Sequence, residues 1–471
     1  MTVKWSTSGP DLLLTLDRDA PTPLRAQLEG QLRDAVRTGR LAAGERLPSS
    51  RALAGHLGLS RGVVQECFEQ LVAEGYLISR SGSATRVAQV AQREPVAPRA
   101  VAPAPVPRLI ADFQSGVPDL GLVPREDWAW AMREACHTAP NTAFDYGDAR
   151  GDERLREVLA AYLRRVRAVD ASAERIVVCA GFQQGLAIVL RTLAAGGRTI
   201  VAVEDPGSVG TVTAAARAAH GDCVPVPVDE HGIDVAALAA SGARVAVVTP
   251  AHQWPTGVVL AAERRHDLIA WAREHDAVIV EDDYDAEFRY DREPIGSLQG
   301  LAPERVVSLG TVSKSLAPAL RLGWAVLPDW LAAPVGAAKQ VADRGAPALD
   351  QLALAALIES GRYDRHLRRM RTEYSKRRDT LVAALAEHAP HISLTGLAAG
   401  FHAVAHLSDG ADEHDIVTQA RKRRVGLYGM SRYRSTQTAT PPQIVIGFGN
   451  TGIRAIEEGI TTIGPLLHLV S

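Results

Sequence analysis

Residues 89–108 read QVAQREPVAPRAVAPAPVPR, a run rich in proline and alanine with neither helical nor strand periodicity. Proline fixes φ and removes a backbone donor, so such a run favours an extended, solvated spacer. It divides the 471-residue chain into a small domain, residues 1–88, and a large one, residues 109–471. The large domain subdivides near residues 360–361, where an alternating pattern gives way to a long charged helix and a shorter mixed segment.

Composition excludes several classes. The formal net charge is −2 and hydrophobic residues make up 46% of the chain, so nothing global advertises nucleic acid, and any DNA-binding surface is local. No stretch approaches the ~18–20 uninterrupted apolar residues of a membrane span. The first residues, MTVKWSTSGPDLLLTL, lack the charged start and long apolar run of a secretion signal, and a cytoplasmic protein is expected. Four widely spaced cysteines (Cys67, Cys136, Cys179, Cys223) show no metal-ligand spacing and suit free thiols.

In the small domain, Leu24, Leu28, Leu32, Ala35 and Val36 mark one face of an amphipathic helix ending at Gly39. The segment LPSSRALAGHLGLSRGVVQECFEQLVAEGYLISR then reads as two helices joined by a short turn. Ser49 or Ser50 caps the first, Gly58 ends it, and Ser60 caps the second, whose apolar face is Val63, Val64, Cys67, Phe68 and Leu71. A glycine-tipped hairpin, SRSGSATRVA, follows. This order is that of a winged helix-turn-helix, in which the second helix of the pair enters the major groove N-terminus first. Between Arg46 and Gln65 there is no acidic residue, and Arg46, Arg51 and Arg61 fall there.

In the large domain, short β-rich runs (176–179, 199–203, 243–249, 277–281, 306–309) alternate with helical stretches such as 184–194 and 264–275. That rhythm predicts an α/β fold with a mostly parallel, helix-covered sheet. The strands end in polar clusters, AGFQQG, EDPG, TPAHQWPTG, EDDYD and GTVSK, which converge on one crevice if the sheet is open. Lys314 stands at a strand end among small and apolar residues with no acid nearby in sequence. Burial lowers a lysine pKa and frees the neutral amine that imine formation needs, making Lys314 a Schiff-base candidate. Thr311, Ser313 and Arg321 offer hydroxyls and a guanidinium suited to a phosphate. The amides of Phe182 and Gln183 offer a helix N-terminus for the same group. Asp282 and Tyr284 are candidates for a pyridine nitrogen and a ring hydroxyl.

LPSSR, the LAxxLGxSR segment and AEGYL resemble the DNA-binding domain of the GntR family of bacterial regulators. AGFQQG, VEDPG, TPAHQWPTG, EDDYDAEF and GTVSKSLAPALRLG resemble a fold-type I, aminotransferase-like domain that binds pyridoxal 5′-phosphate (PLP). In combination the two match the MocR-type subgroup of that family. The resemblance implies that Arg51, Ser60, Arg61 and Gln65 lie at the DNA and that Gly82 tips the wing. It implies Lys314 as the cofactor lysine, Asp282 at the pyridine nitrogen, Tyr284 at the ring hydroxyl, and Thr311 with Arg321 at the phosphate. It further implies double-stranded operator DNA as a partner and a head-to-tail homodimer.

Three departures bear on function. Ser208 stands where relatives carry an aromatic that stacks on the cofactor ring; His252 is either a substitute or a core histidine. Trp254 stands where aminotransferases have an asparagine. The strand QIVIGFGN lacks the arginine that holds a substrate carboxylate, leaving Arg432 and Arg434 as possible compensations or surface charges. Sensing of PLP, alone or with an amine or amino acid, is therefore expected over transamination. The alternatives are a working aminotransferase carrying a DNA-binding module, and a cofactor-free dimerisation scaffold.

Overall fold

A computed structural model describes residues 14–79, 84–89, 109–218, 223–285, 287–290, 296–435 and 441–467. The chain divides into two compact units, Met1–Val106 and Pro107–Ser471. Most of the proline-rich run and Gly82 lie outside the described residues.

The small unit is built on α1 (Leu24–Arg37), α2 (Ser50–Leu57) and α3 (Arg61–Ala73), followed by the short antiparallel strands β1 (Leu77–Ile78) and β2 (Arg86–Val87). Both predicted caps are made: Ser49 accepts from the Ala52 amide at 3.2 Å and Ser60 from the Val63 amide at 3.4 Å. Gly58 ends α2 at φ 62°, a left-handed conformation that glycine adopts without strain. Leu28, Leu32, Leu53, Val64, Cys67, Phe68, Leu71 and Val87 form one buried core. Val63 is only half-buried, because α3 turns the faces of Val64 and Cys67 inward instead. Arg33 pairs with Glu74 at 2.8 Å, tying α1 to the end of α3.

The large unit opens with β3 (Ala111–Asp112), which pairs in parallel with β14 (Val425–Gly426). Its main sheet contains β4 (Ile176–Cys179), β5 (Val201–Asp205), β6 (Cys223–Asp229), β7 (Gly232–Ile233), β8 (Val245–Val248), β9 (Val278–Asp283), β10 (Val306–Thr311) and β11 (Gly323–Val326). Their order is β4-β11-β10-β9-β8-β5-β6-β7, with β11 and β7 antiparallel to their neighbours. Alternation along the strands explains why both faces are covered. Val245, Val247, Val278 and Val280 pack under the helix Phe182–Ala195, while Ala246, Val248 and Ile279 pack against Leu268, Ile269 and Ala272 on the other side. The smaller part has the antiparallel order β12 (Ser393–Thr395), β13 (His402–His406), β16 (Gln443–Gly447), β15 (Tyr428–Gly429). The 27-residue helix Arg362–His388 buries Leu367, Met370, Tyr374 and Leu381 in the core shared with it.

All four cysteines are free. Among the described residues no helix is long and apolar enough to cross a membrane.

Candidate functional site

Four parallel strands, β4, β5, β9 and β10, and the loop after β8 deliver their C-terminal residues to one cavity of about 410 Å³. Phe182 and Gln183 open the helix that follows β4, Ser208 follows β5, and Trp254 follows β8. Asp282 and Tyr284 come from the end of β9, and Thr311, Ser313 and Lys314 from the end of β10. Arg321, from the link between β10 and β11, closes the rim, and the segment Gln114–Val117 supplies the opposite wall.

The amine of Lys314 donates to the Gly116 carbonyl at 2.5 Å. Burial pulls its pKa below the ordinary lysine value, and the negative charges of Asp282 and Asp285 oppose that pull. Thr311 Oγ1 donates to the Leu322 carbonyl at 3.0 Å and accepts from the Ser313 amide at 3.1 Å, so the small-residue turn that presents Lys314 is pinned to β11. Arg321 adopts φ 53° and donates to the Ala180 carbonyl at 2.7 Å, bringing its guanidinium to the start of the helix Phe182–Ala195. Gly181 caps that helix at φ 81°, and a Cβ there would come within 3.1 Å of the guanidinium. The helix begins at Phe182, two residues before its periodicity suggested, so Phe182 and Gln183 occupy its first turn, where amides lack intrahelical partners.

The acids of EDDYD have four separate roles. Glu281 is buried and accepts from the amides of Leu298 and Gln299 at 2.9 and 3.2 Å, a structural task. Asp283 pairs with the buried Arg167 at 2.7 Å. Asp285 pairs with His252 at 2.8 Å. Asp282 alone of the four faces the cavity; its Oδ1 is closed off from solvent and has no hydrogen-bond partner. Burial, then the charge of Asp283, pushes its carboxyl well above the usual carboxylate range, and Lys314 opposes the shift.

His252 does not line the cavity, which corrects the expectation that its ring could stack on a cofactor. The ring is 1% exposed and held by Asp285 and by the Gly396 carbonyl, 3.2 Å from Nε2. Trp254, read only as a departure from an asparagine, lines the wall instead, together with Phe182 and Tyr284. Its ring stands edge-on to Tyr284 and Tyr433, with centroids 6.1 and 5.9 Å away. Tyr284 is buried and donates to the His252 carbonyl at 3.0 Å. Neither Arg432 nor Arg434 lines this cavity. Arg432 lies over the Tyr428 ring, 5.6 Å from its centroid, beside a separate open groove, and Arg434 reaches Gln443.

The residues present fit a phosphorylated pyridine aldehyde. A lysine amine of lowered pKa, an acid oxygen without a partner, a phenol, and a rim of hydroxyls, free amides and one guanidinium surround a single space. Sequence reasoning missed the wall Gln114–Val117, because its QSGV carries no titratable group.

On the small unit, Arg51 and Arg61 are exposed in the first turns of α2 and α3, and Ser60 stands at the cap. Gln65 is exposed one turn further on and donates to Glu69 at 3.2 Å. Arg46 is exposed and bridges to Arg86 of β2. Helix, capped turn and second helix form a helix-turn-helix with a short strand pair behind it.

The fold and site therefore define a chain that joins a helix-turn-helix module to an aminotransferase-like unit. Residues 24–87 match the bacterial regulatory proteins of the gntR family, and residues 110–436 match aminotransferase class I and II. The chain belongs to the MocR-type subgroup of the GntR family of transcription regulators. It is 34% identical to the probable rhizopine catabolism regulatory protein MocR of Rhizobium meliloti, over 96% of this chain and 95% of that protein. It is also 34% identical to the pyridoxine biosynthesis transcriptional regulator PdxR of Corynebacterium glutamicum, over 93% and 95% of the two chains. Among solved structures, the large unit resembles Pyrococcus horikoshii kynurenine aminotransferase, crystallised with PMP. The TM-score is 0.69 at 26% identity, with 76% of this chain and 91% of that one covered.

Proposed function

We propose that this regulator senses PLP through its large unit, with Lys314 as the attachment point, and that occupancy of the cavity changes how the helix-turn-helix module engages operator DNA. The observation that carries the reading is the unpartnered, solvent-excluded Oδ1 of Asp282 in the same cavity as Lys314. A buried acceptor left unpaired costs about 1–3 kcal/mol, and a protonated pyridine nitrogen is the partner that removes the cost. PLP, when bound, supplies an electrophilic carbon and an electron sink. The chain's own part is to present the Lys314 amine, to hold charge at Asp282, and to receive the phosphate with Thr311, Ser313, Arg321 and the amides of Phe182 and Gln183.

An amine or amino-acid effector would join PLP in the same cavity. Among the described residues lining it, Arg321 is the one guanidinium, and it sits at the phosphate end. A carboxylate-bearing substrate thus has no second arginine to grip, which favours sensing over transamination. On DNA, Arg61 is the candidate for reading a guanine edge, with Arg51 and Ser60 at phosphates. The working assembly is a head-to-tail homodimer, and the site of action is the cytoplasm.

Adding PLP to the purified chain should produce a visible absorption band that Lys314→Ala abolishes. A colourless wild type at saturating PLP would overturn the reading. Amino-group transfer to pyruvate or 2-oxoglutarate at enzyme-like rates would restore the aminotransferase alternative.

A further inference from the structure

We propose that the buried His252–Asp285 pair is a positioning device for Tyr284, fixing where the phenol hydroxyl points at the cavity wall. The inference rests on the PLP reading above and extends it to residues that do not touch the cavity.

Tyr284 is held twice by one residue. Its hydroxyl donates to the His252 carbonyl at 3.0 Å and lies 3.3 Å from His252 Nδ1. Asp285 Oδ2 lies 2.8 Å from that same nitrogen, and a carboxylate only accepts, so Nδ1 carries a hydrogen and the ring's orientation is set. On the far side Nε2 meets the Gly396 carbonyl at 3.2 Å. The ring is therefore clamped between Asp285 and the turn before β13, with no freedom to flip. Gly400, at φ 68°, makes the clamp possible: a Cβ there would come within 2.3 Å of Asp285 Oδ2 and 2.5 Å of the imidazole.

His252 and Asp285 are each 1% exposed, in a cluster also walled by His402, whose ring centroid is 4.5 Å from that of His252. Titratable and charged groups reach Tyr284 from every side: Asp282 and Asp285 from β9 and its end, and Glu204 from β5. His252 and His402 come from the loop after β8 and from β13, Lys314 lines the same cavity, and Arg289 donates to the Ala251 carbonyl. Burial, then the charges of Asp285 and Asp282, a side-chain hydrogen bond with Asp285 and the charge of Glu204 push the phenol's pKa well up, so Tyr284 keeps its proton and acts as a donor. A hydroxyl whose lone pairs face an Nδ1–H can turn its own hydrogen from the His252 carbonyl toward a ring oxygen in the cavity, exchanging one acceptor for the other while the hydroxyl oxygen stays fixed beside Nδ1.

The test uses the full-length protein loaded with PLP and reads the pH midpoint of its visible band. A donor to the ring oxygen favours its ionised form, so losing that donor raises the midpoint by about one pH unit or more. Tyr284→Phe should show this shift. His252→Phe and His252→Gln should reproduce it, because neither keeps a donor at the Nδ1 position. His252→Asn, which keeps one, should return the midpoint toward wild type, and Tyr284→Phe with His252→Phe together should shift no further than Tyr284→Phe alone. If His252→Phe fails to load PLP, the contrast between His252→Gln and His252→Asn decides the question. Wild-type midpoints in the loaded His252 variants, with only the melting temperature lowered, would make His252 a packing residue and overturn the proposal. A wild-type protein that never develops the band would instead remove the PLP reading itself.

Discussion

Replacing Asp282 with leucine, which has the same branched shape, should move two properties in opposite directions. In the cofactor-free protein the wild-type carboxyl is a liability, because Oδ1 is buried without a partner. Exchanging such a group for an apolar one of equal shape recovers about 1–3 kcal/mol. At ~2.1 cal/mol/K per residue, a unit spanning Pro107–Ser471 has an unfolding entropy of about 0.8 kcal/mol/K, so its melting temperature should rise by roughly 1–4 °C. The sign with pH follows from the raised carboxyl. The stability it contributes is fully present below the ordinary carboxylate range near ~4 and is lost as pH climbs through the folded value. Cofactor-free wild type should therefore lose stability from mildly acidic toward neutral pH more steeply than Asp282→Leu. With PLP the order reverses. A charge-assisted hydrogen bond to the pyridine nitrogen is worth about 1.5–3 kcal/mol, so the variant should bind PLP roughly 10–150-fold more weakly. Thermal melts with and without PLP, across pH, read both effects. A variant that melts lower than wild type without cofactor, or that is stabilised by PLP as strongly as wild type, would refute the assignment of Asp282.

Arg321→Ala removes the guanidinium at the rim and the contact to the Ala180 carbonyl, and should weaken PLP binding while leaving the colour of the saturated protein unchanged; a lost band at saturation would place Arg321 nearer the lysine than argued. Arg61→Ala should cost about 1–3 kcal/mol in operator binding and relax preference at one base pair, whereas Arg51→Ala should weaken all sequences alike and reduce the salt slope by about 1, both readable by titration at several salt concentrations. Ser60→Ala removes the cap of α3 and should lower the small unit's stability by about 0.5–2 kcal/mol in a denaturant titration.

Much of the architecture is legible because it rests on local signals. The runs 176–179 and 306–309 are strands since branched apolar residues fill both faces of a covered sheet, and Ser49, Gly58 and Ser60 punctuate the helices through their own backbone chemistry. Lys314 could be singled out because it is a charge in apolar company at a strand end, and the EDDYD cluster because it is a group of acids at the end of another strand. What stayed hidden depends on contacts distant in sequence. Nothing local separates Asp282 from Asp283 and Asp285; only Arg167, 116 residues before Asp283, and His252, 33 before Asp285, sort them into cavity acid and ion-pair partners. His252 and Trp254 are two residues apart in a loop, and which of them faces the cavity is set by Asp285 and Gly396, not by spacing. The antiparallel strand β11 was likewise invisible, since its GWAV continues the lysine segment and finds its place only between β4 and β10.

The central claim, that the large unit's cavity reports PLP to the DNA-binding unit, is tested most directly by measuring operator affinity of the full chain at fixed salt, with and without PLP, for wild type and Lys314→Ala. PLP should change the affinity, or the pattern of protected bases, in wild type and leave Lys314→Ala unaffected. Wild-type protein that takes up PLP, shows the visible band, and binds the operator identically in both states would contradict it.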